Sequence, residues 1–436
     1  MQRYKSRCLR LNIIIDNSGY GLDNIGDLAM LQVAVERLSE LWPEATIYVI
    51  CADSNKLNKF VPRAKCLDLT IKNAWLSDFS LIGGFRHFFP KMLQTKLRMC
   101  ESYFRIKFPK ITLKIMSWRF GQESLIYRHG NKFLNLIAES DIVIATGGGY
   151  VNDTFSEHAS KLFDVLLLAQ RYQKPTAMLG QGLGPLSDRN LVKKFKRVLV
   201  KLNHITLREG LLSPEILKEL VISREKPSII VTGDDAIEKS YSSRMENLGN
   251  KIGLNIRNAS YATLPSGILE QIGMIIEDYL LKKKTSYQFL PISLVPGEES
   301  DINALSKLMN MNVHDLYEIE SSLSVTTIIQ RVSQCRVVIT GSYHAALFAL
   351  SQGVQVIGVT ASKYYDSKFM GLLQQFEVGI QILYLKDGVD KLSDFLDIAW
   401  SRADDQRPIL IKNAKKQIYN GKDAYRQLKK LVKNNA

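Results

Sequence analysis

The sequence predicts an α/β protein made of two Rossmann-like domains that face each other across a cleft. Short apolar runs alternate with amphipathic stretches along nearly the whole chain, and this alternation restarts after a polar linker around 242–250. Alternating strands and helices form parallel sheets with helices on both faces. Glycine-rich turns follow several apolar runs, at the strand ends where such sheets bind ligands. We therefore assign an N-terminal domain to 1–241 and a C-terminal domain to 250–436.

Six apolar runs in the first half are predicted as buried strands, because each is short and ends in a turn. They are Leu11–Ile15, Thr46–Cys51, Ile142–Thr146, Thr176–Leu179, His204–Leu207 and Ser228–Val231. In 27–41, apolar residues recur every three or four positions, which predicts an amphipathic helix. A second helix is predicted at 158–171.

The second half repeats this pattern with four predicted strands. They are Ile252–Ile256, Gln288–Leu294, Val337–Thr340 and Val354–Val359. Helices are predicted at 268–282 and 343–351. The uncharged stretch 337–362 is long enough to raise the question of a membrane-spanning helix. Its glycines, serines, glutamines and histidine favour a strand, a helix and a second strand instead.

The composition is that of an ordinary globular protein. Of 436 residues, 46% are hydrophobic and 23% are charged, which excludes disordered, collagen-like and disulfide-scaffold proteins. The five cysteines are scattered and form no Cys-x-x-Cys pair, so we expect reduced thiols in a cytoplasmic protein. The six histidines are isolated, and no metal site is predicted. The sequence also lacks the His-Glu-x-x-His, Gly-x-Ser-x-Gly, Walker and Asp-x-Asp motifs.

The net charge of +15 is concentrated in two segments. Residues 86–119 contain nine lysines and arginines and one acid, and 406–436 have the same balance. Anionic partners are therefore expected at these segments. No nucleic-acid-binding motif accompanies them, so nucleic acid is not predicted as a partner. The C-terminal segment is predicted to be a helix with a solvated basic face.

The basic segment 86–119 is also rich in aromatic residues. Within it, Lys91–Ile106 is predicted to be a helix with an apolar face and a basic face. The apolar face would contain Leu93, Leu97, Cys100 and Phe104, and the opposite face Lys91, Arg98 and Arg105. Such a helix suits the surface of an anionic membrane. A helix that packs on the core and turns a basic back to solvent has the same pattern, so both interpretations stay open.

Three glycine-containing turns at predicted strand ends are candidate ligand sites. Asn24-Ile25-Gly26-Asp27 opens the first helix, where backbone N–H groups can hold an anion or a sugar hydroxyl. An ordinary turn glycine with an N-cap aspartate has the same pattern, so this alternative stays open for that turn. Gly147-Gly148-Gly149 allows close approach of the backbone to a ligand or to a packed helix. Gly180-Gln181-Gly182-Leu183-Gly184 follows another strand but lacks the Gly-x-Gly-x-x-Gly spacing of dinucleotide sites.

A fourth turn, Gly341-Ser342-Tyr343-His344, places a histidine in the first turn of a helix. The partly positive helix N-terminus favours anionic ligands and a neutral imidazole. Ser342 is therefore predicted to hold a phosphate or carboxylate, with His344 as hydrogen-bond donor or proton carrier. Arg208 and Arg257 lie at strand ends and suit bidentate capture of the same groups, although a structural salt bridge is an alternative role. Lys363 is a weaker candidate of this kind.

Taken in order, these turns resemble the polysaccharide pyruvyl transferase family. Each motif is unspecific alone, whereas the ordered set, which covers roughly 12–370, is fairly specific. The matching elements are Asn24-Ile25-Gly26-Asp27, Thr146-Gly147-Gly148-Gly149, Gly180-Gln181-Gly182-Leu183-Gly184-Pro185, Leu207-Arg208-Glu209 with Ser213, Ile252-Gly253-Leu254-Asn255-Ile256-Arg257, and 338–358 around His344.

The resemblance implies a glycosyltransferase-B-like fold and transfer of a pyruvyl group from phosphoenolpyruvate to a sugar hydroxyl pair, which forms a ketal. No cofactor is implied beyond this donor substrate. The implied catalytic residues are His344 and Arg208. The implied donor site contains Ser342, Tyr343, Arg257, Lys363, Gln181 and Gly182. The implied acceptor site contains Asn24, Gly26, Asp27, Gly147, Gly148 and Gly149.

The family pattern has an arginine two residues before the histidine, where this chain has Ser342. The implied acceptor is a cell-surface polysaccharide, such as an exopolysaccharide, or its lipid-linked oligosaccharide precursor. The protein would then be cytoplasmic and peripheral at the inner face of the membrane, through 86–119. Two alternatives stay open. One is a nucleotide-sugar-dependent glycosyltransferase of the same architecture, and the other is a non-catalytic relative.

Overall fold

The computed structural model describes residues 11–76, 81, 88–220, 227–257, 267–295, 297, 300–313, 316 and 323–433. Residues 86 and 87 of the basic segment, and the first ten residues assigned to the N-terminal domain, lie outside these ranges. The chain forms two parallel sheets, one in each half, and the predicted α/β class with two Rossmann-like halves is confirmed. No helix in the described ranges is long and apolar enough to cross a membrane.

The first sheet has the strand order β3-β2-β1-β4-β6-β7-β8, with β5 paired to β6. Ile13 and Ile15 of its central strand belong to one apolar cluster and Ile14 to another, so both faces of the sheet are covered. Its strands are β1 (Asn12–Asp16), β2 (Thr46–Cys51), β3 (Ala64–Asp68), β4 (Ile142–Ala145), β5 (Gly148–Val151), β6 (Thr176–Leu183), β7 (His204–Leu207) and β8 (Ser228–Val231).

Helices connect these strands and pack on the sheet. They are α1 (Ile25–Leu41), α2 (Ser54–Phe60), α3 (Leu69–Leu76), α4 (Lys91–Lys107), α5 (Pro109–Phe120), α6 (Leu125–Glu139), α7 (Ser156–Arg171), α8 (Arg189–Lys201), α9 (Leu212–Leu220) and α10 (Ala236–Ser242). Asn24, Asp53 and Asp188 begin α1, α2 and α8, because their side chains accept hydrogen bonds from backbone N–H groups of the first turn.

The second sheet has the strand order β10-β9-β11-β12-β13. Its strands are β9 (Lys251–Asn255), β10 (Tyr287–Phe289), β11 (Cys335–Thr340), β12 (Gln355–Thr360) and β13 (Ile380–Tyr384). Its described helices are α11 (Ile268–Lys283), α12 (Asp301–Leu308), α13 (Val325–Ser333), α14 (Tyr343–Ser351), α15 (Lys363–Phe376) and α16 (Leu392–Lys433). The uncharged stretch 337–362 forms a strand, a helix and a strand, as predicted.

One apolar core joins the two halves, since it contains residues of α1 and α10 as well as of α13 and α14. Ser240 of α10 donates a hydrogen bond of 2.8 Å to the carbonyl oxygen of Phe348 in α14. The last helix, α16, starts beside the second sheet and ends against the first half. There Tyr425 donates a hydrogen bond of 2.6 Å to Asp235. Much of the basic face of α16 is exposed, whereas Tyr425 and Leu428 on its other face are buried in this core.

The faces of α4 differ from those expected. Arg105, which was assigned to the outer basic face, is buried and pairs with Glu101 at 2.6 Å. Cys100, which was assigned to the apolar face, is exposed. Opposite charges one helical turn apart neutralise each other and can be buried together. A division of the helix into apolar and basic faces overlooks this pairing.

Candidate active site

A cavity of about 210 Å³ lies between the two halves, beyond the carboxyl ends of their strands. The first turns of α1 and α14 form part of its wall, and α15 contributes three side chains. Eight of the residues predicted as site residues line it: Asn24, Asp27, Gly149, Arg208, Arg257, Ser342, Tyr343 and His344.

Arg208 lies directly after β7 and is 4% exposed. A β-carbon added to Gly149 would lie 2.4 Å from its Nη2 atom, and one added to Gly182 would lie 2.4 Å from its Nε atom. Its guanidinium carbon lies 4.2 Å from the ring centroid of Tyr343, a cation–π contact. Gly149 and Gly182 therefore make room for the guanidinium, whereas the sequence predicted that they make room for ligands.

His344 is the second residue of α14 and is buried against the first turn of α1. A β-carbon added to Gly26 would lie 2.0 Å from the imidazole Cγ atom, so glycine is required there. Burial, followed by the positive charges of Arg208 and Lys368, lowers the pKa of His344 well below its usual value. The imidazole is therefore neutral at physiological pH, as expected for the first turn of a helix.

Asp234 faces both Arg208 and His344 and was not predicted. Its Oδ2 atom lies 3.9 Å from Arg208 Nη1 and 3.8 Å from His344 Nε2. Burial raises the pKa of Asp234 to about 7, although Arg208 acts in the opposite direction. The residue follows β8 in the sequence Gly233-Asp234-Asp235, so the rule that strand ends carry functional side chains would have indicated it.

The loop before α1 supplies the other side of the cavity. The side-chain oxygen of Asn24 accepts hydrogen bonds from the backbone N–H groups of Gly26 (3.0 Å) and Asp27 (3.1 Å), so it acts as a helix cap. Burial raises the pKa of Asp27 to about 6, while Arg208 and Lys368 lower it. Most Asp27 carboxyl groups are therefore ionised at neutral pH.

Lys363 is exposed and does not line the cavity, but Lys368 does. Both lie on α15, and five residues correspond to about 140° around a helix, so the two lysines point in different directions. Lys368 Nζ lies 3.9 Å from the ring centroid of Tyr364. Burial and the charge of Arg208 lower the pKa of Lys368 well below its usual value. No sequence signal distinguished Lys368 from other surface lysines.

Arg257 lines the cavity from the second half. Its Nη1 atom lies 3.0 Å from Asp301 Oδ1, which is the structural salt bridge that the sequence left as an alternative. The other oxygen of Asp301 accepts from Asn255 Nδ2 (2.8 Å) and from two backbone N–H groups, those of Ile292 and Ser293. This network fixes the arginine at the cavity wall.

Gln181, Gly147 and Gly148 lie outside the cavity lining. The side-chain amide of Gln181 donates to the carbonyl oxygen of Thr146 (2.7 Å) and thereby ties β6 to the end of β4. A β-carbon on Gly147 would lie 3.0 Å from the carbonyl oxygen of Gly180, so this glycine packs against backbone. Gly148 begins β5 and is therefore part of a strand. These three residues therefore support the wall from outside the lining, whereas the sequence predicted Gln181 in the donor site and the two glycines in the acceptor site.

Within the part of the chain that the structure describes, no three His, Cys, Asp or Glu side chains are grouped to hold a metal ion. A family model for polysaccharide pyruvyl transferases matches residues 24–363. The chain belongs to this family. The matched region contains every predicted site residue and stops before Lys368. A search of curated proteins finds no match to this chain.

Several solved structures share the fold at low sequence identity. A Listeria monocytogenes protein described as a UDP-N-acetylglucosamine 2-epimerase is 12% identical, with a TM-score of 0.56 and 94% of each chain covered. The UDP-GlcNAc 2-epimerase of Neisseria meningitidis is 12% identical, with a TM-score of 0.50 over 95% of this chain and 99% of that one. A UDP-glucosyltransferase from Polygonum tinctorium is 11% identical, with a TM-score of 0.51 over 97% and 99%. The likeness concerns the fold alone, and it confirms a glycosyltransferase-B-like architecture.

Proposed function

We propose that the protein transfers the pyruvyl group of phosphoenolpyruvate to two hydroxyls of a sugar and forms a cyclic ketal. The acceptor is a cell-surface polysaccharide, such as an exopolysaccharide, or its lipid-linked precursor on the cytoplasmic side. The observation that carries the proposal is the convergence of Arg208, Lys368 and His344 on one small buried cavity. Membership of the polysaccharide pyruvyl transferase family supports the same reaction.

The charges around the cavity suit a donor with a phosphate and a carboxylate. Arg208 presents a planar guanidinium, which binds either group through two hydrogen bonds. An anion beside Lys368 would restore its ammonium form, because a nearby negative charge raises the pKa of an amine. Lys368 thus supplies a cation to the cavity. Ser342, which stands where the family pattern has an arginine, lines the same cavity.

The size of the cavity favours a small donor. Sites for drug-sized ligands usually measure about 300–1,000 Å³, and this cavity measures about 210 Å³. Phosphoenolpyruvate fits such a volume, with room for part of a sugar ring. A nucleotide sugar is several times larger and needs further space for its base and ribose. The volume therefore supports pyruvyl transfer over nucleotide-sugar-dependent glycosyl transfer.

The first chemical step requires a proton at the methylene carbon of the donor. His344 lines the cavity, and its Nε2 atom has no hydrogen-bond partner among the described residues. A phosphate dianion nearby would raise the pKa of this imidazole and favour its protonated form. Imidazolium would then donate the proton and make the adjacent carbon electrophilic. Asp234, with a pKa of about 7, is placed to return a proton to the imidazole.

The second step requires a base for the attacking hydroxyl. Asp27 suits this role, since its pKa of about 6 leaves it ionised at neutral pH but still basic. One sugar oxygen bonds to the electrophilic carbon, the bond from that carbon to the phosphate oxygen breaks, and the second sugar oxygen closes the ketal. One hydroxyl proton replaces the proton given to the methyl group, and the other leaves on phosphate. The reaction needs no oxidant or reductant.

The donor is tested by the thermal stability of the purified protein with phosphoenolpyruvate and with UDP-, GDP- and CMP-sugars. A ligand at about 100 times its dissociation constant adds about 2.7 kcal/mol to the free energy of unfolding. We expect this gain with phosphoenolpyruvate in the wild type and in Lys363→Met, and its loss in Lys368→Met. Stabilisation by a nucleotide sugar alone would contradict the proposal. An equal effect of the two lysine substitutions would refute the assignment of Lys368.

A further inference from the structure

We infer that the open end of the α4–α5 hairpin, opposite its turn at Phe108, docks on the surface of an anionic lipid bilayer. This open end is formed by 88–98 and 118–125 and is called the hairpin tip. The docking itself is independent of the donor chemistry. Its purpose, to bring a lipid-linked sugar to the cavity, rests on the proposed function. The inference rests on the position of the tip, its exposed apolar side chains and its positive charge. It also rests on the occurrence of apolar and basic side chains together on one surface.

The position of the hairpin tip follows from the topology. α6 packs on the first sheet and leads into β4, so it runs antiparallel to that strand and starts at the carboxyl edge, where the cavity lies. α5 ends just before α6 and therefore ends at the same edge. α4 runs beside α7 in the same direction, because Ser102 donates to Asp164 and Arg171 donates to the carbonyl oxygen of Lys107. The first turn of α7 brings His158 to the cavity. The start of α4 therefore lies at the same edge.

The hairpin tip exposes several large apolar side chains. The exposed fraction is 86% for Phe88, 72% for Met92, 88% for Trp118 and 66% for Leu125. Single exposed apolar residues are ordinary, but a group of this size in one region marks a contact surface. None of these four side chains belongs to an apolar core cluster, so all four are available to a partner.

The same surface is positively charged. Lys91, Lys96, Arg98 and Arg119 are exposed at the hairpin tip, and the exposed acids near them include Glu123 and, beside Arg98, Glu157. The acid within the basic segment, Glu101, is buried and paired with Arg105, so it does not offset this charge. The basic residues of the tip therefore attract the phosphates of an anionic membrane surface.

The mixture of the two residue types favours a bilayer over a protein partner. The buried centres of protein–protein interfaces are depleted in lysine, whereas Lys91 and Lys96 lie here beside Phe88 and Met92, and Arg119 follows Trp118. Tryptophan and basic residues occur together at the boundary between lipid headgroups and acyl chains. An anionic bilayer satisfies both properties of the hairpin tip at once.

The test is co-sedimentation of the full chain with vesicles of phosphatidylcholine, either alone or mixed with phosphatidylglycerol. We expect binding to the mixed vesicles only, weakened by salt. In the double variant Phe88→Ser/Trp118→Ser, affinity should fall at least 10-fold, since the two largest exposed apolar side chains of the tip no longer enter the bilayer. The matched control is Leu281→Ser in α11, a leucine that is 78% exposed on the other half. It should bind as the wild type does.

A second measurement locates the contact. Tryptophan emission should shift to shorter wavelength on the mixed vesicles, and the shift should vanish in Trp118→Phe. Equal binding to neutral vesicles, or unchanged binding of the double variant, would overturn the inference. So would a wild-type dimer in solution that the double variant converts to monomer, because a second copy would then cover the tip. Phosphoenolpyruvate should stabilise the double variant as it stabilises the wild type. If vesicle binding contradicts the docking inference while this stabilisation persists, the proposed donor is unaffected.

Discussion

Substitution of Gly26 by alanine tests the contact that holds His344 in the cavity wall. The added methyl group would lie 2.0 Å from the imidazole Cγ atom, and ordinary contacts begin at 3.4 Å, so the two groups must separate by about 1.4 Å. Overpacking of this kind costs about 1–3 kcal/mol. Alanine in a helix returns up to about 1 kcal/mol relative to glycine. We therefore expect a loss of about 0–2 kcal/mol in the free energy of unfolding.

The effect on catalysis should be much larger than the effect on stability. A displacement of about 1 Å at a reacting group can reduce the rate about 100-fold, and His344 moves by more than that. The assay is release of phosphate from phosphoenolpyruvate with a cell extract that supplies the acceptor, beside urea unfolding of the same variant. Gly130→Ala is the control, because its methyl group would lie 2.9 Å from the flexible end of Met116 and at an ordinary 3.7 Å from Trp75, away from the cavity. Normal stability together with a normal rate in Gly26→Ala would show that this contact does not position His344.

Two further predictions follow from charges. A bound trianion raises the pKa of His344, Lys368 and Asp234 together, so phosphoenolpyruvate should bind with proton uptake and with falling affinity as pH rises past 7. Calorimetry in buffers of different ionisation enthalpy measures this, and equal heats in all buffers would contradict it. Lys72→Met should cost about 3–5 kcal/mol in urea unfolding, because Lys72 is 2.6 Å from the buried Asp16 and its loss leaves that carboxylate without its cation, although the Tyr20 hydroxyl still donates to it at 2.9 Å. A cost below about 1 kcal/mol would show that Asp16 finds another partner.

The fold could be predicted from periodicity, because buried parallel strands and amphipathic helices each leave a pattern in one short window of sequence. The strand-end rule located Arg208 and His344 correctly at the cavity. It did not give the role of the glycines, because the contact of Gly182 with Arg208 joins two strands that are distant in sequence. Local patterns carry no information about such contacts.

The missed residues have physical reasons of their own. Lys368 lies on a helix whose rotation about its axis is set by packing, so the sequence favoured Lys363 at the strand end instead. The inward turn of Arg105 depends on its pairing with Glu101, which reverses the usual preference of charge for solvent. Asp234 satisfies the strand-end rule, but this rule does not distinguish it from its neighbour Asp235, which pairs with Arg37 instead.

The most direct test of the account is the mass of the acceptor saccharide after incubation with phosphoenolpyruvate and the purified protein. Pyruvyl transfer adds one pyruvic acid less one water, and the ketal is cleaved by mild acid. We expect this product with the wild type and with Lys363→Met, and its absence with a folded His344→Ala variant. A saccharide that gains a sugar unit from a nucleotide sugar, and nothing from phosphoenolpyruvate, would contradict the central claim.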